Sequence, residues 1–269
     1  MSPQANPKKR RPLGMRILVR YGIIAVAAGM LLTSVIYASQ RFEQFLIRDP
    51  RFLLPGPPDY GMESPNLQVT GVKYASRWQI LRVFEPDFGR SLYLFPLKAR
   101  RKALLGMPWV HNASIVRIWP NRVLVRVEER QPAAFVKLQA ESMERWALID
   151  EEGVILDPPH KATFHLPLLS GVRDESAARR GARVRRGLRM LEDLGGLADD
   201  VSEVDVSDLD DLKITEKVAG GAVTLMLGDR NFSLRLRNFL AHYSDIRLRI
   251  PQVRTFDLRL DDRITGVAN

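Results

Sequence analysis

The sequence predicts an α+β protein: a single N-terminal transmembrane helix, a small domain of order β-α-α-β-β, then a larger mixed β domain with two helices. Three observations carry this reading. Tyr21 to Gln40 contains no charged residue and is 20 residues long, about what a helix needs to cross the hydrocarbon core. Val123, Val125 and Val127 alternate with Arg122, Arg126 and Glu128, the period of a strand with one buried face. Val184, Leu188 and Leu191 recur at helical spacing between Ala177 and Leu194.

The apolar and charged fractions, 45% and 27%, are those of a folded globular chain. With no cysteine, disulfides, thiolate nucleophiles and cysteine-ligated zinc are excluded. The net charge of +10 sits mostly at one end. Lys8, Lys9, Arg10, Arg11, Arg16 and Arg20 precede Tyr21 with no acidic residue among them, leaving 35 basic against 31 acidic residues for everything after. A nucleic-acid binder needs its basic excess on the folded part, so the distribution argues against that class.

The apolar run has two alternative readings, a cleaved signal peptide and a buried core helix. A signal peptide has a shorter apolar region followed by small residues at the cleavage site, and Ile36-Tyr37-Ala38 is a poor match. A core helix normally keeps a polar face, which this run lacks. The flank before Tyr21 is strongly cationic and the flank after Gln40 is mixed, so the positive-inside bias places the N-terminus in the cytoplasm and the bulk of the chain outside it.

Phe42, Phe45 and Leu46 extend the helix briefly. Pro50, Pro55, Gly56, Pro57, Pro58, Gly61 and Pro65 then read as a semi-rigid, extended spacer. In the small domain, Leu67 and Val69 alternate with polar neighbours in a strand that ends at Gly71, and Ser76 with Gln79 forms a capping-box pattern that opens a helix to about Phe84. Leu97 to Leu105 suits a second helix, stopped by Gly106 and Pro108. Ser114–Trp119 and Arg122–Arg130 flank Pro120-Asn121, a turn pair, and make a hairpin. Trp109 and Trp119 are expected in core or turn packing.

These residues resemble a known family. Met107-Pro108-Trp109-Val110, Ala113, Val116-Arg117-Ile118-Trp119-Pro120-Asn121, Val123 through Arg130 and Pro132-Ala133-Ala134 resemble the POTRA domain of the bacterial cell-division proteins FtsQ and DivIB. The resemblance continues in Trp146 to Asp150 and Gly153 to Leu156 as two strands around an acidic turn, in Leu227-Gly228-Asp229 leading to Arg235-Leu236-Arg237-Asn238-Phe239, and in Phe256-Asp257-Leu258-Arg259-Leu260. Further strands are expected at Glu203–Val206, Leu212–Val218 and Val223–Leu227, with a last strand at Val253–Leu260. The expected organisation is a cytoplasmic basic tail at 1–20, the transmembrane helix at 21–40, a proline-rich linker at 41–64, the POTRA domain at 65–135, an FtsQ-type β domain at 136–263 and a C-terminal tail at 264–269.

Catalytic motifs are missing. His111 and His242 are isolated, and His160 and His165 share a proline-containing loop at a spacing unsuited to a metal. No nucleophile elbow, phosphate-binding glycine loop or serine-x-x-lysine motif occurs, and Gly220-Gly221 reads as a hairpin turn. Seven arginines lie between Arg173 and Arg189, and nine acidic residues between Glu192 and Asp211. The plain reading is a solvated face beside an acidic loop; the sharper one is an arginine face that steers an acidic partner.

The resemblance implies a bitopic inner-membrane scaffold of the division septum, without catalysis or cofactor. It implies partners among the small bitopic proteins FtsB and FtsL, the translocase FtsK and the septal wall synthases FtsW and FtsI. A last strand often lies at a sheet edge, so Thr255, Phe256, Leu258, Arg259, Leu260 and Arg263 are the expected partner-binding residues. The alternatives are a POTRA-bearing transport or outer-membrane assembly component and a membrane-anchored periplasmic enzyme.

Overall fold

The computed structural model describes residues 13–57, 64–140, 143–159, 162–219 and 221–267. In chain order the elements are α1 (Leu13–Arg48), β1 (Leu67–Thr70), α2 (Arg77–Arg82), α3 (Leu97–Leu105), β2 (Val110–Ile118) and β3 (Arg122–Glu129). There follow β4 (Ala134–Ala140), β5 (Met143–Ile149), β6 (Ile155–Leu156), β7 (Leu168–Ser170), α4 (Ala177–Leu194) and β8 (Val201–Asp205). The chain ends with β9 (Leu212–Val218), β10 (Gly221–Gly228), α5 (Phe232–Arg249), β11 (Thr255–Asp257) and β12 (Thr265–Val267). The α+β class and the β-α-α-β-β order stand. β1, β3 and β2 form a three-stranded sheet in that order, and the remaining strands a nine-stranded sheet ordered β12-β11-β10-β9-β8-β7-β4-β5-β6.

Contacts divide the chain into two compact units. The first comprises Met1–Gln68, Leu81–Arg100 and Ile115–Val125. Ile17–Arg48 of α1 is long and apolar enough to cross a membrane, and none of its most apolar stretch is buried against protein. Of the segment expected to be an extended spacer, the part from Asp49 to Leu54 is docked, and residues 58–63 lie outside the described residues. Asp49 caps the short 3-10 turn Pro50–Phe52 by accepting from the Arg51 amide at 2.9 Å. Leu54 is fully buried, donates its amide to Arg90 O and accepts from Gly89 N. The prolines did not prevent this because a proline at the start of a turn has no amide to lose, and one buried leucine with two main-chain hydrogen bonds suffices to hold the strip. Ser91 donates its hydroxyl to Leu46 O at 2.6 Å, satisfying a carbonyl at the end of α1 that has no partner within the helix. Beneath lie Phe84 and Phe95, stacked with centroids 6.2 Å apart, and a buried ion pair in which Arg100 donates to both oxygens of Asp87 at 2.6 and 2.9 Å.

The second unit comprises Val69–Ile80, Arg101–Ser114 and Arg126–Asn269. Its core lies between one face of the nine-stranded sheet and helices α4 and α5. Val204, Leu212, Ile214, Val223, Leu225 and Leu227 pack from the strands. Val184, Met190 and Leu194 of α4 and Phe232, Leu236, Phe239 and Tyr243 of α5 meet them. Gly153 and Gly181 let α4 settle on the loop after β5: a Cβ on Gly181 would lie 2.8 Å from the Glu152 carbonyl, and one on Gly153 2.1 Å from Ala177 O.

The Glu-Arg-x-Pro exit of β3 has a structural explanation. Glu129 Oε1 accepts from the amides of Lys73, Tyr74 and Ala75 at 2.7 to 2.9 Å, so one carboxylate closes a loop whose main chain has no strand to pair with. Arg130 donates to Asp150 at 2.8 Å and Glu152 at 2.5 Å, and Asp150 accepts from the Val154 amide at the turn into β6. Trp109 is buried and donates its indole N–H to Asp157 O at 3.0 Å, as the core reading expects. Trp119 is 47% exposed and is a turn residue packed on one ring rather than core.

The arginine-rich helix keeps Arg179, Arg185 and Arg189 exposed, as a solvated face expects, and also spends arginines on main chain. Arg180 donates to Gly153 O and Glu175 O, Arg183 to Val206 O and Ser207 O, Arg185 to Glu151 O, and Arg186 to Leu209 O and Asp229 O. Four arginines thus cap main-chain carbonyls of the surrounding loops. A guanidinium with several donors in a rigid fork does this well.

Two predictions follow from these burials. Glu216 of β9 points to the core side with Leu212 and Ile214, is 1% exposed, and its Oε2 has no partner among the described residues. Burial, then the charge of Asp200, push its carboxyl up to about 7. Ionising it therefore opposes folding: native stability falls as pH rises from the unfolded value of 4.5 through the native one. Glu216→Gln should leave stability unchanged at pH 4 and raise it by about 3 kcal/mol at pH 8.5, measured by urea unfolding of the detergent-solubilised chain at both pH values. Glu129→Ala should cost about 3 kcal/mol, since it strands three amides, with Glu129→Gln less damaging; the same titration at neutral pH reads it.

Candidate partner-binding edge

The C-terminal strands build outward from β10. β11 pairs with β10 in parallel, Leu225 opposite Phe256, and β12 pairs with β11 antiparallel, Gly266 opposite Phe256. The last strand is therefore Thr265–Val267 and not Val253–Leu260. β11 has a neighbour on each side, and β12 is one of the sheet's two outermost strands, with β6 at the opposite edge. The edge that the sequence reading placed at Thr255 lies one strand further along. A run with β-branched Ile264, Thr265 and Val267 after Asp261-Asp262 carried a strand signal; its shortness hid it.

The expected binding residues divide by environment. Thr255 sits between Thr224 and Val267 in the sheet. Phe256 and Leu258 are buried, Phe256 against the Phe239 ring at 5.1 Å. The period-two alternation that defines the strand sends these two inward. Arg259 is half exposed and bridges Asp257, at 2.6 Å, to Asp211, at 3.3 Å. That hydrogen bond holds the Asp257 carboxyl below the ordinary carboxylate range. Leu260 is 59% exposed, and Arg263 is exposed, its amide closing a turn to Leu260 O.

The leucine-glycine and arginine-leucine-x-x-phenylalanine motifs meet the Asp-x-Arg motif here. Arg235, 5% exposed on α5, donates to Leu227 O and to Asp261 Oδ1, both at 2.6 Å. Asp261 also accepts from Asn231 at 3.0 Å and its main-chain oxygen from Asn238; Arg235 foremost, then Asn231, hold its carboxyl low. Gly228, at φ +75°, fits beneath the two arginines: a Cβ there would lie 3.0 Å from Arg235 Nη1 and 3.3 Å from Arg259 Cγ. Glycine is suited to that left-handed backbone. The loop between β11 and β12 is thereby latched to α5.

A polar cavity of about 210 Å³, lined by His111, Glu129, Arg130, Gln131 and Asp150 to Glu152, is the other candidate site. Glu129, Arg130, Asp150 and Glu152 of its lining are engaged in the ion pairs and amide contacts described above, so these four form a structural network.

The family model of the FtsQ-type POTRA domain matches residues 65–130, and that of the cell division protein FtsQ/DivIB C-terminal domain matches 139–259. A cell division protein FtsQ of Koribacter versatilis is 31% identical over 266 residues, covering 96% of this chain and 71% of that protein. The chain belongs to the FtsQ/DivIB family of cell-division proteins. The cell division protein FtsQ of Novosphingobium aromaticivorans is 27% identical over 245 residues, 90% of this chain and 71% of that protein. That of Bordetella pertussis is 35% identical over 112 residues, 42% of this chain and 36% of that protein. Family membership and the apolar N-terminal helix together fit a single-pass membrane protein that works in complexes with other division proteins.

Arg235→Met should leave Leu227 O unpaired and remove the guanidinium from Asp261, costing about 2 kcal/mol. Hydrogen exchange should show the amides of 255–267 losing protection well before those of β4 and β5; uniform loss would mean that the latch is part of the global fold only.

Proposed function

We propose that this chain is a non-catalytic scaffold of the division septum that receives an extended segment of a partner along the outer edge of β12. The observation that supports this is the position of β12: a three-residue strand with every residue exposed, outermost in a nine-stranded sheet, presents main-chain donors and acceptors to an added strand. Thr255, Phe256 and Leu258 support that edge from within. Arg259, Leu260 and Arg263 stand beside it as side-chain contacts.

FtsB and FtsL are the proposed occupants, with FtsK, FtsW and FtsI as further partners in the same assembly. The basic tail lies in the cytoplasm, α1 spans the inner membrane, and the POTRA and C-terminal domains lie outside. The cationic flank before Tyr21 supports that orientation. The engagement of the charged groups around the polar cavity favours structure over catalysis there.

Truncation at Arg263, which removes β12 and leaves the buried Phe256 and Leu258 in place, tests the edge. The shortened chain should keep its circular-dichroism spectrum and most of its stability while losing co-purification with FtsB. Undiminished FtsB capture by a folded truncated chain would refute the edge as the binding surface.

A further inference from the structure

Within the first unit, aromatic rings run from the membrane helix to the tip of the β2–β3 hairpin. Phe45 of α1 meets Phe52 edge-on with centroids 5.6 Å apart, and Phe52 meets Trp119 in the same way at 5.7 Å. The turn that reverses the chain after α1 holds this arrangement: Asp49 N donates to Phe45 O, Phe52 N to Asp49 O, and Asp49 accepts the Arg51 amide. Trp119 is 47% exposed, Phe45 45% and Phe42 63%. Phe52 therefore joins two rings that face outward.

The height of Phe45 follows from the helix. The uncharged run ends at Gln40, and Phe45 lies five residues on, about 7.5 Å further along the axis. The headgroup layer beyond the hydrocarbon is about 5 to 8 Å deep on each side. The level of Phe45 is thus the outer headgroup layer, where tryptophan and tyrosine are favoured because an apolar ring and a polar edge are both accommodated. The cations nearby suit the same layer: Arg41 donates to Tyr37 Oη at 2.8 and 3.0 Å and lies over its ring, and the Arg51 guanidinium stands 5.7 Å from the Phe45 centroid.

We infer that the hairpin tip at Trp119 docks into the headgroup layer of the membrane that α1 crosses, so that the first unit touches the bilayer at two places, the helix and the tryptophan. This rests on the reading of α1 as a membrane span. Acidic Glu43 and Asp49 offset two of the three arginines at 41, 48 and 51. Docking is accordingly led by the aromatic rings and is insensitive to anionic lipid.

The chain has no cysteine, so single labels are available without other changes. The full chain, reconstituted in vesicles of phosphatidylcholine alone or with phosphatidylglycerol, would carry a nitroxide at Trp119→Cys or Met30→Cys, with oxygen and nickel-complex accessibility measured by power saturation. Met30→Cys should read mid-bilayer and Trp119→Cys headgroup depth in both lipids. In a second measurement, brominated lipid should quench part of the tryptophan emission of the unmodified chain, and Trp119→Phe should lose that part. A label at 119 that matches a water-soluble reference nitroxide while Met30→Cys reads deep, or quenching unchanged in Trp119→Phe, overturns the docking and leaves the span intact. A label at 30 that reads as water overturns both.

Discussion

Everything C-terminal to α5 depends on one buried guanidinium. Arg235 sits in the core side of α5 with two strong acceptors, a carbonyl that ends β10 and the carboxylate of Asp261 in the loop between the last two strands. A buried arginine is costly unless both its charge and its donors are met. Meeting them here forces the chain end back onto the helix. β11 and β12 are only three residues each, too short to hold register by pairing alone. The latch and the inward pair Phe256 and Leu258 supply what the ladders lack.

Much of the fold was legible because its signals are local. The uncharged run, the alternation of Val123, Val125 and Val127, and the spacing of Val184, Leu188 and Leu191 each report on a single element, and α3, α4 and β9 lie where the sequence places them. The misses share a physical cause. β4 and β12 are short or mixed in pattern, and the docking of Leu54 is a tertiary event that proline content cannot report. Phe256 and Leu258 carried the family motif yet face the core, because a strand's period fixes which side chains turn inward whichever residues a motif singles out.

The arginines of α4 show how charge composition misleads. Counted along the chain they make a cationic patch beside an acidic one. In the structure Arg180, Arg183, Arg185 and Arg186 donate to loop carbonyls that have no ladder partner. Their value lies in satisfied main chain more than in long-range field. Glu129 does the converse for three amides.

The join between α1 and the rest of the first unit has a mechanical corollary. The Ser91 hydroxyl on Leu46 O, the turn capped by Asp49 and the seat of Leu54 leave no swivel at that point. Rotation of the helix about its own axis is therefore carried into the rest of that unit, so the azimuth of α1 also sets the compass bearing of the hairpin tip at Trp119.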